Sequence, residues 1–252
     1  MSTATIVTPV AHEPELLGQV VFIGGTAGIG LETARRAHAE GAKVILSGRD
    51  AERLQRAANE LDTQSTAAFD ATDPNAIEQF FAQLPGPIDH VMVTAGRPYY
   101  GRLADIDFAN ARNLIGDHLL QALSVARYAS KKVRPGGTLI FMGGVGGRRP
   151  ALGMAITSAV TAALPALIAN LAIEIAPVRV NLIAAGFVDT PLSAELLGDD
   201  LENRRHHLRT TIPIRRVVGP ADVAALAIHL MRNTALTGAT YDIDGGQQFV
   251  AA

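Results

Sequence analysis

The sequence contains no cysteine and no tryptophan, and only four tyrosines and eight phenylalanines. Without cysteine there are no disulfides, no thiolate nucleophile and no cysteine-ligated zinc, an absence that fits a cytoplasmic location. Neither sign of charge dominates. Lysine plus arginine number 22 against 24 aspartates and glutamates, a formal net charge of −2, which gives no electrostatic ground for binding nucleic acid or an anionic membrane. No uninterrupted apolar run reaches the ~18 residues a membrane-crossing helix needs. The segment Met1–Glu15 has no basic stretch ahead of its apolar Ala4–Val10, so residues 1–16 read as a flexible tail rather than a signal peptide.

What is present is apolar and periodic. Hydrophobic residues make up 48% and charged residues 18% of 252, enough for a large buried core. Apolar runs of strand length recur at Val20–Ile23, Val44–Leu46, Ala67–Phe69, Val91–Val93, Leu139–Met142, Val180–Ala184 and Thr240–Ile243. Continuous apolar strands alternating with helices predict a Rossmann-type, doubly wound parallel sheet of about seven strands with helices on both faces. Helix-end signals punctuate the intervals. Leu31–Glu40 stops at Gly41, Asp50 caps Ala51–Leu61, and Asp73-Pro74 opens Asn75–Gln83. Pro135-Gly136-Gly137 ends a helix expected over Ala111–Val133. No internal repeat or linker divides the chain, so residues 17–252 read as one domain.

The first strand runs into Gly24-Gly25-Thr26-Ala27-Gly28-Ile29-Gly30 and then a helix. Such a turn lets backbone approach a pyrophosphate, and the helix N-terminus presents free N–H groups and a positive dipole end to it. The spacing GxxxGxG resembles the nucleotide signature of the short-chain dehydrogenases/reductases. Further segments resemble that family in the right order: Asp70 and Ala71 after strand three, Val93-Thr94-Ala95-Gly96 after strand four, Arg179-Val180-Asn181, Gly186-Phe187-Val188-Asp189-Thr190, and Asp242–Gly246 near the end. The resemblance implies a nucleotide site made from Gly24, Thr26, Gly28, Ile29, Gly30, Asp70, Ala71, Ala95, Gly96, Gly186, Val188 and Thr190.

Cofactor choice is read from the end of strand two. An acid there selects NAD by bonding the adenosine ribose. This chain has Gly48 at that position and Arg49 next, and a guanidinium suits a ribose 2′-phosphate. NADP(H) is therefore expected. Asp50 is placed either to reach the ribose or to cap the following helix.

The resemblance also implies a tyrosine proton donor, a lysine four residues later, a serine upstream and an asparagine in the preceding helix. Aligning Thr157-Ser158-Ala159-Val160-Thr161-Ala162-Ala163-Leu164 on that pattern puts Thr157 at the tyrosine, Thr161 at the lysine and Gly144 at the serine. Glu174, thirteen residues past Thr161, supports that register. His118 falls at the asparagine, with Asn113 as an alternative register. All four usual catalysts are absent, so this reads as a divergent member. Pro165 is expected to kink the following helix or mark its start. Replacement donors are His118, Tyr99 and Tyr100, against packing roles for each. Arg148 and Arg149, and the cluster Arg204, Arg205, His206, His207 and Arg209, offer cations for an acidic substrate or a solvated face. His206 and His207 are adjacent and diverge on a helix, so no metal is expected.

The expected activity is an NADP(H)-dependent oxidation or reduction of a small carbonyl or alcohol at a non-standard site. The alternative is an NADP(H)-binding protein without redox turnover, such as a sensor or partner subunit. The apolar helices near Ala111–Val133 and Thr157–Ala176 predict a homodimer or homotetramer, with no membrane or nucleic-acid partner.

Overall fold

A computed structural model describes residues 16–63 and 65–250. The tail expected over residues 1–16 lies outside these except for Leu16, which is buried beside the first strand. The strands are β1 (Gln19–Ile23), β2 (Lys43–Gly48), β3 (Thr66–Ala68), β4 (Ile88–Val93), β5 (Val133–Gly144), β6 (Arg179–Ala185) and β7 (Thr240–Ile243). They form one parallel sheet in the order β3-β2-β1-β4-β5-β6-β7. Between them run α1 (Gly28–Ala39), α2 (Ala51–Glu60), α3 (Pro74–Gln83), α4 (Phe108–Ala129), α5 (Ala155–Glu174), α6 (Pro191–Leu197), α7 (Leu201–Thr211) and α8 (Pro220–Arg232).

The alternation of side chains along each strand divides the core in two. Val20 and Phe22 point to the face covered by α1, α2 and α8, and Val21 and Ile23 to the face covered by α3, α4 and α5. Met92, Ile140 and Ile183 join the first face; Val91, Val93, Leu139, Phe141 and Leu182 join the second. Burial on both faces explains why these strands read as unbroken apolar runs.

Caps set the helix starts. Asp50 accepts from the Arg53 N–H at 3.0 Å, which gives it the capping role, and Asp73 accepts from Asn75 with Pro74 in the first turn. Two expectations at helix ends need correction. The long central helix begins at Phe108 and ends at Ala129, not Ala111–Val133, because Asp107 caps it by accepting from Ala109 and Asn110. Val133 already pairs with Ile88, and Pro135-Gly136-Gly137 sits inside β5 where the register shifts between Ile88 and His90. The breaker residues mark a strand irregularity rather than a helix end. Pro165 does not open a helix either. α5 continues through it to Glu174, with Val160, Leu164, Ile168 and Leu171 buried against the sheet on both sides of the lost hydrogen bond.

Candidate active site

The strand order places β1 beside β4, the point where crossovers leave for opposite faces, and a large cleft opens at the carboxyl ends of the strands there. It measures about 750 Å³. Its floor is made by the ends of β4 and β5 (Val93, Phe141 to Gly144), one wall by Leu114, His118 and Gln121 of α4, and another by Thr157 and Thr161 of α5. Ala185 to Val188, Thr190 and α6 close it from the β6 side.

At one end lies the turn between β1 and α1. Gly24 has φ +94°, and a Cβ there would lie 2.5 Å from the Ala95 nitrogen, so only glycine fits. Thr94 Oγ1 donates to the Gly24 carbonyl at 3.0 Å and ties this turn to the exit of β4. Gly30 is buried beneath it, while Gly28 and Ile29 line the cleft at the N-terminus of α1. Ala95, Gly96, Gly186, Val188 and Thr190 line the same cleft. Thr190 also caps α6 through a reciprocal pair of bonds with Ser193. The remaining expected nucleotide residues, Thr26, Arg49, Asp70 and Ala71, lie outside the lining, at and beyond the ends of β2 and β3. Asp70 is held by Thr72, and its carboxylate lies 4.0 Å from the Arg49 guanidinium, which is 68% exposed. Ala71 is buried, and its carbonyl accepts from Gln121 at 3.1 Å. A Cβ on Gly48 would meet Thr26 Cγ2 at 2.6 Å, so a side chain at this position would have to displace Thr26.

The residues expected to act chemically separate in space. His118 lines the cleft, half-buried; Asn113, the alternative in register, is exposed. His118 Nδ1 lies 3.0 Å from the Leu114 carbonyl. A carbonyl only accepts, so Nδ1 carries a proton and Nε2 is the free nitrogen. Nε2 faces Gly96, where an added Cβ would lie 3.3 Å from it. Tyr100 also lines the cleft and is 55% exposed; partial enclosure pushes its phenol up, opposed by the charge of Arg204. Tyr99 is not among the lining residues. Its ring packs on Gly101, and its backbone N–H and carbonyl both bond the Thr157 hydroxyl. Thr161 Oγ1 donates to the carbonyls of Thr157 and Ser158. Gly144 lies beside Thr161 and offers no hydroxyl. Both threonine hydroxyls are thus engaged with backbone.

The arginines separate too. Arg148 pairs with Asp242 at 2.9 Å, outside the cleft. Arg149, Arg97 and Arg204 line it. Sequence reasoning did not single out Gln121 or Gln247. Gln247 Oε1 accepts from the Phe187 N–H at 2.8 Å and fixes the loop after β6, and nothing in its local sequence announces this. Among the described residues no group of three His, Cys, Asp or Glu is placed to hold a metal.

Residues 24–248 match a family model described as enoyl-(acyl carrier protein) reductase. The chain is 29% identical to an NADP-dependent (R)-specific alcohol dehydrogenase of Lentilactobacillus kefiri, over 92% of this chain and 97% of that one. A solved structure described as a short chain dehydrogenase/reductase family protein superposes with a TM-score of 0.82 at 30% identity, covering 95% of this chain and all of the other. An actinorhodin polyketide ketoreductase solved with NADPH superposes at 0.83 and 25% identity, covering 95% of this chain and 99% of that one.

Proposed function

Because the chain belongs to the short-chain dehydrogenase/reductase family of oxidoreductases, we propose that it is an NADP(H)-dependent enzyme that interconverts a small carbonyl and its alcohol, with His118 in place of the usual tyrosine. The cofactor reading is supported by the cradle itself. The turn at Gly24 leaves no volume for a side chain, Gly48 carries no acid at the position that selects NAD, and Arg49 stands exposed beyond it with only a loose partner in Asp70. Gly28, Ile29, Ala95, Gly96, Gly186, Val188 and Thr190 would hold the rest of the nucleotide, and NADP(H) when bound supplies or accepts the hydride. NADPH in the ketoreductase neighbour and the NADP dependence named for the alcohol dehydrogenase agree with this choice.

The observation that carries the chemistry is the orientation of His118. With Nδ1 bonded to Leu114, the imidazolium donates from Nε2 to a nascent alkoxide, and the neutral ring accepts an alcohol proton at the same nitrogen. Thr157 serves instead to hold the loop at Tyr99, and Thr161 to back-bond within α5. Tyr100 remains in reach of the cleft, but its phenol is pushed away from the working pH.

The test has two parts. Calorimetry should show NADPH binding more tightly than NADH, and Arg49→Ala should remove most of the difference, about 1.5–3 kcal/mol for a charge-assisted bond. NADPH oxidation should then proceed with members of a carbonyl panel. Tight NADPH binding with no turnover on any of them would favour the alternative, a nucleotide-binding protein whose catalytic residues have been lost. Equal affinity for the two cofactors would overturn the choice of NADP(H).

A further inference from the structure

Among the described residues the main cleft is lined by no aspartate and no glutamate, but by three arginines and a histidine. Arg97 is spoken for, 2.9 Å from Glu195. Arg149 Nε donates to the Val250 carbonyl at 3.4 Å. Arg204 differs. It projects from α7 over the ring of Phe187 at 5.8 Å, and no carboxylate lies within ion-pair distance of it among the described residues. Its neighbour Arg205 is clamped by Asp189 at 2.7 and 2.9 Å, which fixes this turn of α7 to the exit of β6. Phe187 is in turn held by Gln247. Arg204 is therefore a half-buried cation on a braced helix, beside an aromatic ring and lining a cleft to which the described residues supply no carboxylate.

A partly desolvated guanidinium without an anion is electrostatically costly, since less water screens it. Here burial and the like charge of Arg149 both press on Arg204 in the same direction. A guanidinium fork can make two parallel N–H donations, the geometry a carboxylate accepts. Gly186, Phe187, Val188 and Thr190 beneath Arg204 line the cleft that also holds His118. An anion on Arg204 would thus lie in the same cleft as the reacting carbon.

Resting on the reductase reading above, we propose that the substrate is an oxo acid whose carboxylate docks on Arg204. The step balances: NADPH, when bound, would supply a hydride to the carbonyl carbon, the C=O π pair would become the alkoxide, and the imidazolium of His118 would give that oxygen a proton from Nε2. The products are a hydroxy acid and NADP⁺, and solvent reprotonates His118. Met154, Leu152, Leu196 and Leu197 line the cleft and would enclose the carbon chain between acid and ketone.

The experiment compares pyruvate, acetoacetate and levulinate, each against its own methyl ester, on the NADPH-loaded full chain. These acids place the carbonyl at increasing distance from the carboxylate, and the esters keep carbon count near while removing the charge. At least one acid is expected to bind by calorimetry and to be reduced with a kcat/KM about tenfold to a hundredfold above its ester, chiefly through KM. In Arg204→Met the acid-to-ester ratio should fall to about one, with a melting transition confirming that the variant is folded. Inorganic phosphate as competitor separates a general anion site from a carboxylate site, because a phosphate that displaces the acid at equal concentration overturns the carboxylate assignment. Acid binding that depends on Arg204, without NADPH oxidation, would overturn the reductase reading and leave the anion site standing. Equal binding of acid and ester to the unmodified protein, or no binding of any acid, overturns the anion site whatever the enzyme turns over.

Discussion

Two histidines in this chain sit in opposite environments, and each makes a measurable difference of its own. His118 faces the cleft with Nε2 free to exchange a proton with a bound substrate. Single substitutions follow from the same geometry. His118→Ala should cost on the order of 10²–10⁴-fold in rate. Thr157→Ala, which removes a hydroxyl bonded only to the Tyr99 backbone, should cost less than about tenfold. Loss of turnover in Thr157→Ala with His118→Ala unaffected would reverse the assignment. His90 is the buried counterpart, 4% exposed in β4 with no hydrogen-bond partner for Nδ1 among the described residues. Burial first, then the charges of Arg179 and Arg134, hold its pKa down at about 4 against the ordinary 6.5, with Asp89 opposing. The unfolded chain therefore binds the proton more readily than the folded one. The stability this protects is complete above pH 6.5 and is lost as pH falls toward 4, on the order of 1.4 kcal/mol per unit across that window. Denaturant titrations at stepped pH should show the decline, and His90→Val should flatten it. At this scale the glycine turn was legible in sequence because backbone geometry leaves few alternatives there. Tyr99 was not, because whether a loop side chain faces a cleft or a neighbouring glycine is settled only by packing.

Elements are tied together here by polar contacts as much as by the core. Arg179, the first residue of β6, is 5% exposed and donates to five carbonyls: Gly136 in β5, Leu230 and Met231 in α8, and Asn233 and Leu236 beyond it, at 2.8–3.1 Å. A cation at the C-terminus of α8 satisfies carbonyls that the helix itself cannot, and it complements the negative end of the dipole. Asn181 repeats the device one strand step later by donating to Leu236. Arg179→Met should therefore destabilise the fold by about 3–5 kcal/mol, since several buried acceptors lose their donor together. A lower urea midpoint with an unchanged slope would register it, and Arg179→Lys should not restore it, because one ammonium cannot span the fan. A shift under about 1 kcal/mol would show that these carbonyls find other donors. The order of strands and helices was readable from apolar runs and caps, since both-face burial writes an uninterrupted pattern. The ends of α4 were not. Asp107 lies four residues before Ala111, the expected start of the helix it caps, and Pro135-Gly136-Gly137 breaks helices and bulges strands alike.

On the scale of the whole molecule, one surface remains unexplained by the fold. α5 carries a single charged residue, Glu174, and its length and mean hydropathy of 1.8 would allow it to cross a membrane. Only one of its faces is buried, through Ile156, Val160, Leu164, Ile168 and Leu171 on the sheet. The opposite face exposes Ala159, Ala162, Ala163, Ala166 and Ile173. On neighbouring α4, Ile115, Leu120 and Leu123 are also exposed, each by 42–52%. A membrane is a poor destination for this helix, because leaving the sheet would strip the core residues that fix it and open the cleft wall built from Thr157 and Thr161. A second copy is a better one. Alanines let two backbones approach closely, and a two-fold axis would set the same apolar strip against itself. We propose that the chain assembles as a homodimer or homotetramer through α4 and α5. Light scattering at micromolar concentration should give at least twice the monomer mass, and Ala166→Arg combined with Leu123→Glu should reduce it to one. Since Thr157 and Thr161 project from the opposite side of the same helix, the dissociated variant should also bind substrate more weakly while keeping its affinity for NADPH. A monomer in the unmodified protein, or an undiminished mass in the double variant, would place the contact elsewhere.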